Sequence, residues 1–330
     1  MKALILTGGF GTRLRPLTYT RPKHLLPIAN VAHIEHVFDL LQRHGIDEAV
    51  LLTSYLAEAF YEVLGRAAGR GMKLEVKHEP EPLGTAGALR NAHDLVAGDT
   101  FFAFNGDVLT DVDLSAVLDF HRNRGAEASL VLTPVDDPSA YGVVPTEPDG
   151  RVLGFIEKPP RDQAPTNLIN AGVYVLESSV LDRIPAGQVY SAERELFPAI
   201  VADAGMYALG TDDYWMDIGT PETLMQANLD ALEGRYLCEA VPEPASGLSL
   251  SAPGAEIAAS ARVSSTCLGR DARVEAGAVV ERAVLLPGAI VGRGATVKNA
   301  TLGEGARVVP GAYLEGAAIG DNKTVELGNN

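Results

Sequence analysis

Over its first two thirds the chain alternates continuous apolar runs with helical periodicity. Ala3-Leu4-Ile5-Leu6 reads as a buried strand, and Ile34, Val37, Phe38 and Leu41 recur at the spacing of one helix face. Ala49-Val50-Leu51-Leu52 is a second apolar strand, residues 56–68 form another helical pattern, and Met72–Lys77 and Phe101–Phe104 are further strands, separated by a helix beginning near Thr85. Such alternation predicts a parallel sheet covered by helices on both faces, with ligands taken at the carboxyl ends of the strands. Gly8–Arg13 and Asn105-Gly106-Asp107 both fall at such ends, so they are expected to converge on one cleft. Short strands near 127–133, 142–144, 151–156 and 171–176 add a mixed layer. A last helix is signalled by Thr220 as N-cap and Pro221 at the first position, with Met225, Leu229 and Leu232 facing inward.

The period then changes. After Val241-Pro242-Glu243-Pro244, residues 251–267, 268–284, 285–301 and 302–318 align as four copies of seventeen residues. An aliphatic residue recurs every six positions (Leu285, Val291, Val297; Leu302, Val308, Leu314), with a small residue four places after it. This is the hexapeptide pattern of a parallel β-helix, in which the aliphatics are expected to fill a narrow interior and the small residues to permit tight corners. Tyr313 is the only aromatic residue after position 250, as a narrow interior requires. Many hexapeptide β-helices are acyltransferases that use a histidine base. All seven histidines here lie at or before His121, which points to a structural and assembly module instead.

Composition narrows the chemistry. The 330 residues carry a net charge of −16, which argues against a nucleic-acid partner or an anionic membrane surface. In so acidic a chain a local pair of cations stands out. Cys238 and Cys267 are too few for a disulfide framework or a cysteine-rich metal site. The first apolar run is too short for a signal segment or a membrane span, so a soluble cytoplasmic protein is expected.

The local cations sit in Gly8-Gly9-Phe10-Gly11-Thr12-Arg13-Leu14-Arg15-Pro16-Leu17-Thr18, closed by Pro22-Lys23. Glycines directly after a strand let backbone N–H groups approach an anion, and Arg13 and Lys23 follow as charges for a polyphosphate. A dinucleotide fingerprint would need a third glycine leading into a helix, and a P-loop would end in Gly-Lys-Ser/Thr; neither is present. The run resembles instead the signature of the sugar-phosphate nucleotidyltransferases, the nucleoside-diphosphate-sugar pyrophosphorylases. Leu83-Gly84-Thr85-Ala86-Gly87 is similar to that family's base-recognition segment and Asn105-Gly106-Asp107 to its metal-binding turn. Gly154–Pro159 and Asn170–Tyr174 resemble its sugar-binding segments, and Trp215–Pro221 its second metal-binding segment. Taken singly, Asp107 reads as a turn residue, Asp217 as a carboxylate near a helix start, Glu157-Lys158 as an exposed pair and Arg15 as a solvated charge. Their occurrence together and in order carries the resemblance.

The resemblance implies an α/β fold: a Rossmann-like, mixed and mostly parallel sheet in a nucleotidyltransferase catalytic domain at 1–234. A linker at 235–250 and a short left-handed parallel β-helix at 251–330 follow. It implies transfer of a nucleotidyl group from an NTP to a sugar 1-phosphate with release of pyrophosphate. Arg13, Lys23 and Asp107 would be catalytic; Leu6, Gly8, Gly9, Gly11, Thr12, Arg13, Glu79, Gly84 and Thr85 would line the nucleotide. Gly142, Glu157, Lys158 and Asn170 would hold the sugar phosphate, and Asp107 and Asp217 would ligate Mg²⁺. Glu79–Gly87 looks most like mannose-1-phosphate guanylyltransferases: a carboxylate suits the paired N–H donors of guanine, where thymidylyl relatives tend to carry glutamine. GTP and mannose 1-phosphate are therefore the first expectation, with a homo-oligomer built through the β-helix. Asn30-Val31-Ala32 departs from the Asn-Lys-Pro common in relatives. A glucose-1-phosphate thymidylyl- or adenylyltransferase, and a silent nucleotide-sugar-binding regulatory subunit, are the alternatives.

Overall fold

The computed structural model describes residues 1–328 apart from Tyr55 and Pro80. The chain divides into two compact units: Met1–Gly9 with Val37–Trp215, and Phe10–His36 with Met216–Asn330.

The first unit is built on a nine-stranded sheet. Its parallel part contains β1 (Lys2–Leu6), β2 (Glu48–Thr53), β3 (Lys73–His78) and β4 (Thr100–Asn105). β1 lies between β2 and β4, in the register Leu6↔Leu52 and Leu6↔Asn105. Ala3, Leu4 and Ile5 are fully buried, as expected of a central parallel strand. The mixed part contains β5 (Ala128–Pro134), β6 (Gly142–Val143), β7 (Ile156–Glu157), β8 (Leu168–Glu177) and β9 (Met206–Gly210). β8 runs antiparallel to β4, β5 and β6, so the sheet is mixed from this strand outward.

Helix α1 (His33–Arg43) buries the predicted face of Ile34, Val37, Phe38 and Leu41. The helix expected at 56–68 arrives as a 3-10 turn, Ala57–Phe60, followed by α2 (Tyr61–Gly69), and the one near Thr85 is α3 (Gly84–Asn91). Further on, α4 (Leu114–Arg124) is capped by Asp113, whose side chain accepts from the Ala116 N–H. The strand expected over 151–156 is not continuous. Arg151 and Val152 make only isolated bridges, and pairing resumes at Ile156. Between them Phe155 turns inward to stack on Phe197 at 5.4 Å, which removes that stretch from the ladder.

In the second unit, α5 (Pro221–Glu233) starts in a capping box between Thr220 and Thr223 and ends at Gly234, where φ is +79°. Leu229 and Leu232 face inward as predicted, but Met225 is only half-buried and Leu224 takes the buried position. The helix packs on the residue 27–32 hairpin and on the β-helix coils, so it buries more than one stripe, including Asn228 and Asp230. A single-stripe pattern cannot show a helix covered from two directions.

The C-terminal repeats form a left-handed parallel β-helix with each coil seventeen residues from the next: Arg262 pairs with Val279, Val279 with Thr296, and Thr296 with Tyr313. Val274, Val280, Leu285, Val291, Val297, Leu302 and Val308 fill its interior. The small residues are not at the corners as expected. Ala272, Ala278, Ala289, Ala295, Ala306 and Ala312 are buried inside. The corner is made one residue earlier where a glycine takes positive φ: at Gly288 (+69°) the chain turns so that the Ala289 N–H reaches the Leu286 carbonyl. The alanine then points inward, where the narrow interior leaves no room for a larger side chain.

Asn228 ties this unit together. Pro27–Ile28 and Val31–Ala32 form a hairpin whose two turn residues, Ala29 and Asn30, both have positive φ, as a type I′ turn requires. The Asn228 Oδ1 accepts from the Ala29 N–H at 2.9 Å, and its Nδ2 donates to the Pro27 and Leu224 carbonyls at 3.1 and 2.9 Å. Asn30 donates from Nδ2 to the Leu268 carbonyl at 3.1 Å, which places the departure from Asn-Lys-Pro at a turn seated on the first coils. Asn228→Ala should destabilise the protein by about 2–3 kcal/mol by leaving buried backbone groups unpaired. Urea unfolding checks this, and a change under about 0.5 kcal/mol, the scale of an ordinary surface substitution, would remove Asn228 from this role.

Candidate functional site

The first unit gathers most of the predicted nucleotide and sugar residues at the carboxyl end of the parallel strands. The Leu6 carbonyl, at the end of β1, accepts from the Gly106 N–H at 3.0 Å, so the glycine turn and the Asn105-Gly106-Asp107 turn leave adjacent strands side by side. Gly9 is exposed at the tip. A Cβ on Gly8 would lie 3.1 Å from the Ser54 Oγ and 3.8 Å from a carboxylate oxygen of Glu79. This brings the predicted base-recognition carboxylate to the predicted phosphate turn.

Glu79 is buried, and its Oε2 accepts from the Leu83 N–H at 3.1 Å. Burial pushes its pKa above the ordinary 4.5, with the Leu83 hydrogen bond and His78 pulling the other way. Pro80, within the same segment, lies outside the described residues. Gly84 and Gly87 have a structural reason to be glycine. Added Cβ atoms would meet the Tyr190 carbonyl at 2.8 Å and the Gln188 carbonyl at 2.7 Å, and Gly84 has φ +74°. The close approach lets the Ala86 and Gly87 N–H groups reach the Tyr190 carbonyl. Thr85 is engaged within the protein: its hydroxyl donates to Glu193 at 3.0 Å and accepts from the Ala192 N–H at 2.7 Å.

The sugar-side residues also assemble. Glu157 pairs with Gly142 across β6 and β7, and the Lys158 N–H reaches the Tyr141 carbonyl at 3.0 Å. A Cβ on Gly142 would stand 3.3 Å from the Glu157 carboxylate. Lys158 holds φ +48° with its Nζ 3.6 Å from Glu157 Oε1, and both side chains are exposed. Trp215 packs edge-on against Tyr141 and donates to the Ala171 carbonyl at 2.9 Å. Asn170 sits at a bulge in β8. Its Oδ1 accepts from the Gly172 N–H, and its Nδ2 donates to the Tyr174 hydroxyl at 2.8 Å. Gly172, at φ +74°, leaves room for the Asn105 side chain, whose Nδ2 would be 2.9 Å from an added Cβ. Asn170 and the acidic turn are thus packed together. Tyr174, at the end of the predicted sugar segment but given no role of its own, and Glu193, absent from the predicted site, join these segments; burial, the largest cause, raises the Tyr174 pKa.

The second unit carries Gly11, Thr12, Arg13, Lys23 and Asp217. Gly11 has φ +60°, and an added Cβ would meet the Lys23 Cβ at 3.1 Å, so Gly11 lets the Lys23 segment close on the loop. Thr12–Leu14 and Lys23–Leu25 are single 3-10 turns anchored by buried Leu14 and His24. The Arg13 guanidinium is exposed and lies 3.6 Å from Asp217. It crosses Gly219, where an added Cβ would come within 2.7 Å of Nη2. Gly219 is not among the predicted site residues; it lies within Trp215–Pro221, the run that resembles a metal-binding segment. Among the described residues no group of three or more His, Cys, Asp or Glu gathers as a metal site. No helix among them is long and apolar enough to cross a membrane.

A glycine turn and an acidic turn at neighbouring parallel strand ends, in a chain continuing into a hexapeptide β-helix, define an α/β protein built to handle phosphorylated ligands. The chain belongs to the nucleotidyl transferase family, whose model matches residues 2–234; a GlmU-like C-terminal hexapeptide model matches residues 246–326. It is 40% identical over 299 residues to a mannose-1-phosphate guanylyltransferase of Mycobacterium tuberculosis, covering 85% of this chain and 83% of that protein. It is 46% identical over 243 residues to mannose-1-phosphate guanylyltransferase 1 of Arabidopsis thaliana, covering 70% and 66%. A Bacillus anthracis protein described as a glucose-1-phosphate thymidylyltransferase, solved in complex with a sucrose, superposes with TM-score 0.63 at 25% identity, covering 69% and 94%.

Gly219→Ala should displace the Arg13 guanidinium, and crowd the Asp217 carboxylate at 3.0 Å, while leaving the fold intact, because the obstructed atoms are the ends of side chains. Weaker triphosphate binding by about tenfold, with an unchanged melting temperature, is the expected result. Titration calorimetry checks it; wild-type affinity would show that the Arg13 position over Gly219 is immaterial.

Proposed function

We propose that this protein transfers the guanylyl group of GTP to mannose 1-phosphate, forming GDP-mannose and releasing pyrophosphate. The observation that carries the base assignment is Glu79: a buried carboxylate, 3.8 Å from where a Gly8 Cβ would stand, presents an acceptor suited to the paired N–H donors of guanine. The names of the two guanylyltransferase relatives support the same substrates.

In the reaction, a phosphate oxygen of the sugar 1-phosphate forms a bond to the α-phosphorus of the NTP. The bond from that phosphorus to the bridging oxygen breaks, and pyrophosphate leaves with the electron pair. The attacking group is already ionised, so the protein has no need of a nucleophile or a general base; its task is to suppress repulsion between two anions. In this reading Arg13 holds the β- and γ-phosphates, and Lys23 the α-phosphate or the incoming sugar phosphate. Backbone N–H groups of the Gly8–Thr12 turn line the triphosphate. Gly142, Glu157, Lys158 and Asn170 orient the sugar phosphate. In this reading Asp107 and Asp217 offer the hard oxygen donors that Mg²⁺ takes, one or two carboxylates with substrate phosphates completing its shell. When bound, the ion supplies neutralisation of charge on the phosphoryl oxygens. A cytoplasmic homo-oligomer, assembled through the β-helix, completes the reading.

Pyrophosphate release measured for four NTPs against mannose 1-phosphate, glucose 1-phosphate and related sugar phosphates tests the assignment. GTP with mannose 1-phosphate should be the fastest pair. A faster thymidylyl transfer to glucose 1-phosphate, the activity in the Bacillus neighbour's description, or a faster adenylyl transfer, would replace it, and no turnover at all would leave a binding protein.

Glu79 adds a pH signature. Its raised pKa means that the folded chain holds this proton more tightly than the unfolded chain. The associated stability is full below the unfolded pKa and is lost as pH rises through the folded one. Guanine recognition by the ionised carboxylate runs oppositely. The kcat/KM for GTP should fall as pH drops through a value above 4.5. Glu79→Gln should lower kcat/KM for GTP by about 10–100-fold at neutral pH while removing Glu79's contribution to that acidic limb. Wild-type GTP kinetics in the Glu79→Gln variant would dismiss the carboxylate as the base reader.

A further inference from the structure

The loop carrying Arg13 and Lys23 sits in the same compact unit as the β-helix, and another of its charged residues, Arg21, is committed there. Arg21 places Nη2 2.6 Å from Asp321 and 2.8 Å from Glu304. Asp321 is nearly buried and fully engaged. Its Oδ1 accepts from the Glu304 N–H at 2.7 Å, and its Oδ2 accepts from Arg21 and from the Thr20 hydroxyl. Burial works to lower the Arg21 pKa, but the hydrogen bonds and charges of Asp321 and Glu304 outweigh it and raise the value. One residue before Asp321, Gly320 leaves space for Pro16: an added Cβ would stand 3.1 Å from the proline Cβ. Further along the segment, Asn30 is bonded to the Leu268 carbonyl on an early coil. Leu268, Leu285, Leu302 and Ile319 stack in register, so the two anchors lie about 14 Å apart along the β-helix at ordinary strand spacing.

A module that served only assembly would not need a partly buried arginine from the signature loop clamped by two acids on its last coils. We propose that the final coils of the β-helix are a positioning element for the phosphate-gripping loop, acting through the Arg21–Asp321–Glu304 cluster and the Pro16–Gly320 contact. Arg21 and Asp321 are positioning residues: they hold the backbone on either side of which Arg13 and Lys23 project. This rests on the reading that Arg13 and Lys23 bind the triphosphate. It adds that triphosphate affinity is set in part by residues some 300 positions away in the chain.

The test uses the full chain, since α5 and the loop both pack on the β-helix and its deletion would strip them. Asp321→Asn keeps shape but removes the charge. Gly320→Val pushes on Pro16 without touching any ion pair, and Asp321→Glu is the conservative control. In both disrupting variants the KM for the NTP should rise about tenfold, the scale of a lost charged hydrogen bond, with the KM for the sugar 1-phosphate and the oligomeric mass unchanged. Hydrogen exchange should accelerate in residues 11–25, and Asp321→Glu should recover most of both effects. Wild-type KM for the NTP in Asp321→Asn overturns the proposal, whether exchange is unchanged or faster, because the cluster would then be merely structural. If the wild-type chain turns over no substrate pair, the reaction assignment fails separately. The loss or retention of GTP binding in Asp321→Asn, by titration calorimetry, then decides the positioning role.

Discussion

One buried carboxamide organises the second unit. Asn228 arises from the middle of α5, where an uncompensated polar side chain would be costly, and it spends its acceptor on the Ala29 N–H and its two donors on the Pro27 and Leu224 carbonyls. Two of those partners, Pro27 and Ala29, are backbone groups of the hairpin, whose two-residue turn depends on side chains from elsewhere to hold it. Residues 10–36 contain only short 3-10 turns, a hairpin two residues long on each side and the start of α1. Asn228 at the hairpin and Arg21 at the last coils give this segment the rigidity that its own secondary structure lacks.

The first unit depends on backbone pairing. β1 and β4 are adjacent and parallel, so both chain reversals that carry site residues occur at the same end, and the hydrogen bond from Gly106 to Leu6 fixes their separation. Close backbone approaches then place the side chains. Gly84 and Gly87 admit the 188–190 segment, Gly172 admits Asn105, and Gly142 admits Glu157. At Gly84, Gly87 and Gly172 a Cβ would strike a neighbour, and at Gly142 it would crowd the end of a carboxylate side chain, so the first three positions act through the absence of a side chain. The cations of the second unit follow the same logic at Gly11 and Gly219.

Much of this was legible in the chain. Apolar runs and helical spacing located β1, β2, β4 and α1, because a fully buried parallel strand and a one-faced helix leave strong periodic signals. The seventeen-residue repeat located the β-helix coils for the same reason, although it misassigned the alanines: periodicity shows that a position is small, not whether it faces inward or turns the corner. Residues 151–156 looked like a strand by composition, yet Phe155 found a better partner in Phe197. Met225 looked inward on a single-stripe helix, yet α5 is covered on two sides.

By itself, the sequence determined the two periodicities, the glycine-rich turn after β1, and the order of segments that carries the resemblance to nucleotidyltransferases. These are local properties, set by residue type and spacing along the chain. Only the tertiary structure decided that Glu79 lies beside Gly8, that Arg13 crosses Gly219, and that residues 10–36 group with the C-terminal coils. Arg21 and Asp321 are 300 positions apart. Nothing in the local pattern of either announces the other, because an ion pair between distant segments is written only in the way the chain packs.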